Sequence, residues 1–486
     1  SAMRVTRTMT VDGTFVDARQ NGGSARLVIS SAPRGIVAPA LRSRAAAWIP
    51  ARHFHSALSG RRYTRAVAAC TTVRRPVQFS GLGMLTILTV DLDRGLYASD
   101  SKALMADAEI VYGSPHSLYV ATERWIDPST AVDRLPTNQT TVIDRFDATD
   151  PRTTTFVASG EVPGYLLNQF SLSEHNGYLR AASTSRPIWW FGRPRSTSQS
   201  YVTVLAQQGP VLAPVGQVDG LGVGQQIRSV RFVRNAGYVV TFRQIDPLYT
   251  LDLSAPTAPR VAGQLELQGY SAYLHPLSPG RLLGVGQDVN PSGSEPSGVQ
   301  LELFDVSRPS SPRLLARQTL GQGSSSSVNF DHHAFLYWPP TKLAMLPVEI
   351  YPDSSGTAPG SIPPGASGSG TASSPPSGPA TADSSGSSFV GAIGYHVDGG
   401  ISELGRVSHD ASSGYPPAIQ RSLVVGPHVF TISDTGVMAS TLSTLAREGF
   451  VAFPAPPPPP NPQPAPAPGG PPQPAPAARP APSAHG

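Results

Sequence analysis

The sequence predicts an all-β fold: a β-propeller of four-stranded blades, seven or eight of them, over residues 4–453, followed by a proline-rich tail at 454–486. Three observations lead there. A strand-ending motif recurs at one spacing, charge is scarce while turn-forming residues abound, and helical periodicity is almost absent.

The motif stands in full at three places. Residues 146–151 read FDATDP, 251–259 read LDLSAPTAP and 304–312 read FDVSRPSSP. The second and third start 53 residues apart and the first two 105 apart, which is two steps of about the same size. A period near 50 is that of a four-stranded blade with its loops. The chemistry is that of a strand driven into a tight turn. Asp147, Asp252 and Asp305 each place a short carboxylate where it can accept backbone N–H groups two residues on. The proline that follows fixes φ and removes a donor, so ladder pairing stops. Weaker echoes lie at 87–93 (ILTVDLD), at 203–208 (TVLAQQ), around Tyr395 and at 437–445 (VMASTLSTL), making seven units. Each continues into a strand ending on glycine, as at 261–263, and into glycine-rich apolar sequence such as LLGVG at 282–286. The one helical expectation is a turn or two at 101–108. The chain is expected to open on a hairpin at 9–29 without its upstream strands, so that an N-terminal portion is missing and the ring is less stable than a longer form.

Composition agrees with many short strands joined by turns. Charged residues are 14% of the chain, while Pro and Gly number 51 and 47. The net charge is +5 and nearly all positive charge is arginine, since Lys102 and Lys342 are the only lysines. The densest cluster, Arg61, Arg62, Arg65, Arg74 and Arg75, is no long basic run with interleaved aromatics, so no nucleic-acid partner is expected. The single cysteine, Cys70, excludes an intramolecular disulfide and is expected to be a small buried residue. No run of about 18 apolar residues is present, which excludes a membrane-spanning helix, and residues 1–10 lack the apolar segment of a signal peptide.

After the third motif the period is lost in a Ser/Gly/Pro/Ala run at 352–388. With those 37 residues taken out, Phe304 and Tyr395 lie 54 positions apart, so the run reads as a disordered insertion inside one blade. The tail, with its prolines at 456–460, reads as a stiff polyproline spacer.

Several long segments resemble a known family. They are VPGYLLNQFSLSEHNGYLR at 162–180, residues 230–265, GYSAYLHPL at 269–277, LLGVGQD at 282–288 and DHHAFLYWP at 331–339. They are similar to secreted bacterial and archaeal proteins with a C-terminal β-propeller distantly related to WD-type repeats. The resemblance runs from about Thr8 to Phe453 and starts inside that family's domain. It implies export and attachment at the cell surface, and no established reaction.

The residues that could carry chemistry are few. Asp331, His332 and His333 stand together, and His275 holds a comparable place one blade earlier. Adjacent histidines on a strand point to opposite faces and cannot both chelate one ion, unless a bulge or loop intervenes. A metal site needs three or four ligands, so blade-to-blade hydrogen bonding is the competing role. Arg243 and Asp246 in FRQIDPLY could form a bidentate ion pair that locks a blade or binds an anion. Glu174 and His175 pose the same choice. HExxH, GxSxG and phosphate-loop patterns do not occur. No catalytic set, metal or cofactor is therefore expected. The reading is an exported or cell-surface propeller that binds a protein, peptide or glycan through one face, its tail spacing it from a partner or the cell wall. The alternative is a hydrolytic or metal-dependent enzyme with its site on one propeller face.

Loop-closure entropy grows slowly with length. Deletion of 352–388 is thus expected to move the melting temperature by only a few degrees; insoluble or unfolded protein would contradict the insertion reading.

Overall fold

The computed structural model describes residues 4–37, 40, 44, 47–75, 81–107, 109–124, 139–185, 189–190, 193–194, 197–242, 246–289, 296–351, 388–410 and 416–454. Their architecture is a succession of antiparallel four-stranded sheets, each running first to fourth strand in chain order, with the second and third joined edge to edge into eight strands by the parallel pair of Ser159 with Val211 and a short extra strand added to the first and to the sixth. The first sheet holds Thr14–Asn21, Ser24–Ser31, Met84–Asp91 and Tyr97–Leu104, and the second Ile110–Gly113, Ser117–Glu123, Thr140–Asp147 and Thr155–Pro163. The third holds Leu172–His175, Tyr178–Thr184, Ser200–Gln208 and Val211–Leu221, and the fourth Gln226–Val233, Ala236–Phe242, Asp246–Asp252 and Arg260–Leu267. Tyr270–Ser278, Arg281–Val289, Pro296–Asp305 and Arg313–Gln322 make the fifth. Leu336–Trp338, Leu343–Ile350, Phe389–Val397 and Ile401–Val407 make the sixth, and Arg421–Val425, His428–Ile432, Gly436–Thr441 and Arg447–Ala452 the seventh.

The sheets stack face to face, so their inner strands lie between two neighbours. Met84–Asp91 is buried at all but its last residue. Val28, Leu85 and Ile87 of the first sheet meet Leu118, Val120 and Phe146 of the second. Tyr238, Val240 and Leu248 of the fourth meet Leu274, Leu282 and Phe304 of the fifth. Leu301 and Leu303 then meet Leu346 and Tyr395 of the sixth. Strands buried on both faces read as continuous apolar runs rather than alternations, which is why their sequences show little period-two pattern.

The repeated motif closes the third strand. Asp147 accepts from the Thr149 N–H at 2.9 Å, Asp252 from Ser254 at 3.1 Å and Asp305 from Ser307 at 3.0 Å. Hydrogen bonds from Thr149, Ser254 and Ser307 hold these carboxyls below the usual range. In all seven sheets the pairing of third and fourth strands shifts register just before this corner: at Thr89/Val90, Arg145/Phe146, Val204/Leu205, Thr250/Leu251, Leu303/Phe304, Gly394/Tyr395 and Ala439/Ser440. A bulge adds twist where the outer strand must turn away.

The closed turn seats on the preceding sheet. A Cβ on Gly216 would lie 2.3 Å from the Pro256 carbonyl oxygen, and one on Gly263 2.5 Å from that of Pro309. The Thr250 hydroxyl also donates to Pro309. Between the first two sheets a buried arginine does this work. Arg26 donates to the Thr154 hydroxyl at 3.0 Å and to the carbonyls of Ala148 at 2.9 Å and Asp150 at 2.7 Å.

Three expectations meet the structure differently. Residues 101–108 do not begin a helix: Tyr97–Leu104 is the fourth strand of the first sheet, because Thr86, Leu88 and Val90 supply a strand to pair with. The only α-helix among the described residues is Arg34–Val37. Cys70 is exposed. The hairpin expected at 9–29 is Thr14–Asn21 with Ser24–Ser31, whereas Arg7–Val11 pairs with Ala51–Ser56. Gly13, at φ 130°, turns the chain between them. With Arg62–Ala66 these strands form a three-stranded sheet. The segment joined to it packs Ile49, Val67 and Ala68 on Met84, Leu88 and Val90 of the first sheet.

Apart from Ser388 and Pro454, the insertion at 352–388 and the tail at 454–486 lie outside the described residues. The strands flanking the insertion pair directly, Ile350 with Phe389, inside the sixth sheet. No helix among the described residues is long and apolar enough to cross a membrane.

Gly263→Val should lower stability by about 1–3 kcal/mol through overpacking against the next turn, and Arg26→Ala by about 1–3 kcal/mol through unpaired carbonyls. Denaturant titrations of both variants check this, and unchanged midpoints would contradict the seating of the turns.

Candidate functional site

The first strands of the sheets converge on a common axis, where two 3-10 turns lie across them. Gln169–Ser171 precedes the first strand of the third sheet. Asn168 caps it, accepting from the Phe170 N–H at 2.9 Å. His332–Ala334 precedes the first strand of the sixth sheet. Asp331 caps it, accepting from the His333 N–H at 3.0 Å, and is paired with Arg421 at 2.8 Å. The adjacent histidines therefore sit on a capped turn, not on a strand, and their ring centroids are 3.9 Å apart.

The two turns meet over the axis. The Gln169 carbonyl oxygen accepts from Arg19 of the first sheet, and its amide donates to His332 Nε2 at 2.7 Å. That bond needs an unprotonated Nε2. Burial first, and His333 next, push the His332 imidazole down to about 4. On the same axis Arg231 lies 3.8 Å over the Phe170 ring, and its Nε donates to the Leu274 carbonyl at 2.8 Å. The Tyr273 hydroxyl is 3.1 Å from His275 Nδ1. Burial, reinforced by Arg231, lowers His275 to about 4. His275 and His332 thus flank one tyrosine, with ring centroids 6.0 and 6.3 Å from that of Tyr273, and Phe335 and Tyr337 complete the cluster.

Of the residues singled out in the sequence, the structure brings His275, His332 and His333 to this cluster and puts Asp331 at its edge. Arg243 lies outside the described residues, and for Asp246 only the backbone, at the start of a strand, is described. Glu174 bonds to Ser114 at 2.5 Å and to Arg145 at 3.4 Å, while His175 bonds to Asn235 at 3.0 Å, so this pair diverges into two blade contacts. Among the described residues no group of three or more His, Cys, Asp or Glu is placed to hold a metal ion. Gln169, Phe170, Arg231 and Tyr273 all stand within the segments that carry the family resemblance, but no motif marks them there as site residues.

On the far side of Asp331 a cleft of about 490 Å³ opens between the sixth and seventh sheets. Ser325, Ser326, Ser327, Glu349, Gln420 and Arg421 line it, and Phe330 stands at its lip with 86% of its surface exposed.

Two carboxyls are raised instead of lowered. Glu302, fully buried beside Ser271 and Arg317, is pushed by burial to about 7, and Asp144 to about 6. A raised folded pKa lends stability that is full below the unfolded value and lost as pH rises through the folded one. A depressed histidine lends stability that is full above about 6.5 and lost as pH falls toward 4. Melting curves should therefore separate the two sets. Relative to wild type, Glu302→Gln gains as pH rises from about 4.5 to 7, and His275→Phe gains as pH falls from about 6.5 to 4. Parallel pH profiles for wild type and variants would contradict this.

The chain is similar to an uncharacterized protein of Archaeoglobus fulgidus, 42% identical over 175 residues, which is 36% of this chain and 25% of that protein. It is likewise similar to uncharacterized protein MJ1554 of Methanocaldococcus jannaschii, 36% identical over 191 residues, 39% of this chain and 28% of that one. The matches thus span about a quarter of each relative. Among solved structures it is similar to dihydro-heme d1 dehydrogenase NirN in complex with DHE, at 10% identity and a TM-score of 0.40, over 76% of this chain and 61% of that one. That likeness carries no argument about chemistry. The family model of the beta propeller domain matches residues 1–445, and with its stacked four-stranded sheets the chain belongs to that family.

Proposed function

We propose that this propeller is a binding module of the cell envelope that takes a glycan chain into the cleft beside Phe330. The observation that carries the reading is the exposure of Phe330, at 86%, over a cleft walled by hydroxyls, an amide and charged groups. An isolated exposed apolar residue needs no explanation; an aromatic face above convergent polar groups is the arrangement that a sugar matches. Its C–H face covers the ring, and its hydroxyls meet Ser325, Gln420, Glu349 and the Asp331–Arg421 pair. The Ser327 hydroxyl, buried in the wall without a partner, is a further group that a ligand or water would satisfy. A protein or peptide partner is the other outcome that binding assays distinguish.

The same proposal includes seven blades, supported by seven sheets that each carry the bulge at one corner. The three-stranded sheet is taken as a cover on the first blade instead of an eighth, since among the described residues it has neither a fourth strand nor the aspartate corner. Export and wall association rest on the family resemblance and on the proline-rich tail, which would hold the ring away from the wall. The enzyme reading draws on Glu302 and Asp144, whose raised pKa values suit an acid or base. Both are enclosed between sheets, away from the cleft, which favours binding.

A polysaccharide array followed by titration calorimetry tests the reading. One glycan class should bind saturably, and Phe330→Ala should weaken it by about tenfold or more, roughly 1.4 kcal/mol. Unaltered binding by Phe330→Ala, or saturable binding of peptides alone, would overturn it.

A further inference from the structure

A buried charge is ordinarily paired, because removing it from water without a counter-charge is costly. Two arginines depart from that rule, Arg180 buried in the third sheet and Arg231 half-buried in the fourth. Arg180 is 4% exposed, its Nη groups donate to the Arg234 carbonyl and, at 2.6 Å, to the Ser173 hydroxyl, and its Nε has no partner. Arg231 donates its Nε to the Leu274 carbonyl and lays its guanidinium between Phe170 at 3.8 Å and Tyr273 at 5.3 Å. Among the ion pairs of the described residues neither arginine has a carboxylate partner. The carboxylates on this side are committed elsewhere: Asp17 to Arg19 at 2.5 Å and Glu174 to Arg145 at 3.4 Å. Burial lowers both guanidinium pKa values, Arg180 to about 10, with only tyrosine hydroxyls opposing the shift.

Beside Arg231 lies a recess of about 310 Å³, walled by Arg19, Tyr112, Gln169, Phe170, Ser173 and Arg231. Arg180 stands behind this wall, bonded to Ser173 and stacked on Phe232 at 5.1 Å. The volume is at the lower end for small-molecule sites. The wall combines cations, hydrogen-bond donors and aromatic rings, and a low-dielectric surround strengthens the attraction for negative charge.

We propose that this axial recess is a site for a small organic anion, whose carboxylate or phosphate group meets Arg231 and the Ser173–Arg180 pair while its apolar body lies against Tyr112 and Phe170. The ligand supplies the counter-charge that the fold leaves out. The recess is separate from the cleft at Phe330, so each site stands or falls alone.

The test uses the whole chain and four probes: inorganic phosphate, phenyl phosphate, benzoate and neutral benzyl alcohol. Phenyl phosphate or benzoate should raise the melting temperature saturably, benzyl alcohol should not, and added chloride should weaken the effect by screening and competition. Hydrogen exchange should slow at 169–173 and 230–233 when the anion binds. Arg231→Met, which replaces the half-buried cation by an apolar chain, should lower affinity by more than about tenfold, a difference above roughly 1.4 kcal/mol. Should Arg231→Met not fold, the chloride competition and the exchange footprint on the native chain decide alone. Phenyl phosphate and inorganic phosphate binding equally, with no help from the ring, would overturn the organic part of the claim. No saturable anion effect, protection confined to other segments, or a folded Arg231→Met that binds as wild type would overturn the site.

Discussion

The turn that closes a third strand and rests on the sheet before it, as at 148–150, Pro256 and Pro309, is the interaction on which the rest of this molecule depends. The aspartate bonds its own backbone two residues on, the following residues leave the ladder, and the corner comes to lie against an outer-strand glycine of the neighbour. A side chain at Gly216 or Gly263 would occupy the space that the next turn fills. The contact couples a local event, the end of a strand, to the placement of the next sheet. Stacking then buries both faces of inner strands such as Met84–Asp91 and Leu343–Ile350, while those of the seventh sheet keep one face partly exposed, and it leaves the first strands to meet at the axis.

Burial on both faces explains the molecule's electrostatics. Asp144 and Glu302 occupy the same place in the repeat, three residues before the corner aspartate, and both face the preceding sheet. The corner aspartates are solvated and bonded to N–H groups, so they stay ionised, while these two are desolvated and rise. One repeat position thus gives acidic carboxyls and the other gives carboxyls that titrate near neutrality. The axis follows the same logic: half-buried imidazoles are held neutral beside a half-buried guanidinium that cannot lose its charge.

What the sequence made legible was local or periodic. The corner motif announces itself in six to nine residues, and Ile350 pairs with Phe389 where the spacing argument required one blade to continue across the insertion. What it hid was built from distant segments. Gln169 bonds to Arg19 and to His332, 150 and 163 residues away, and nothing in either neighbourhood marks the meeting. The opposite-face argument for the histidine pair holds only on a strand, and the Asp331 cap makes the segment a turn, the exception that the sequence leaves open. The Phe330 cleft left one trace, the serine run beside it, which composition alone reads as loop. Arg180 and Arg231 were two among many arginines, and only burial sets them apart.

If the corner couples neighbouring sheets, loosening one corner must be felt in the sheet before it. Hydrogen-exchange mass spectrometry of Asp305→Ala under native conditions measures this directly. The account predicts faster exchange in the fifth sheet's turn and, together with it, in Arg260–Leu267 and Asp246–Asp252 of the fourth sheet, which Gly263 and Thr250 tie to Pro309. Faster exchange confined to the fifth sheet, with the fourth unchanged, would contradict it.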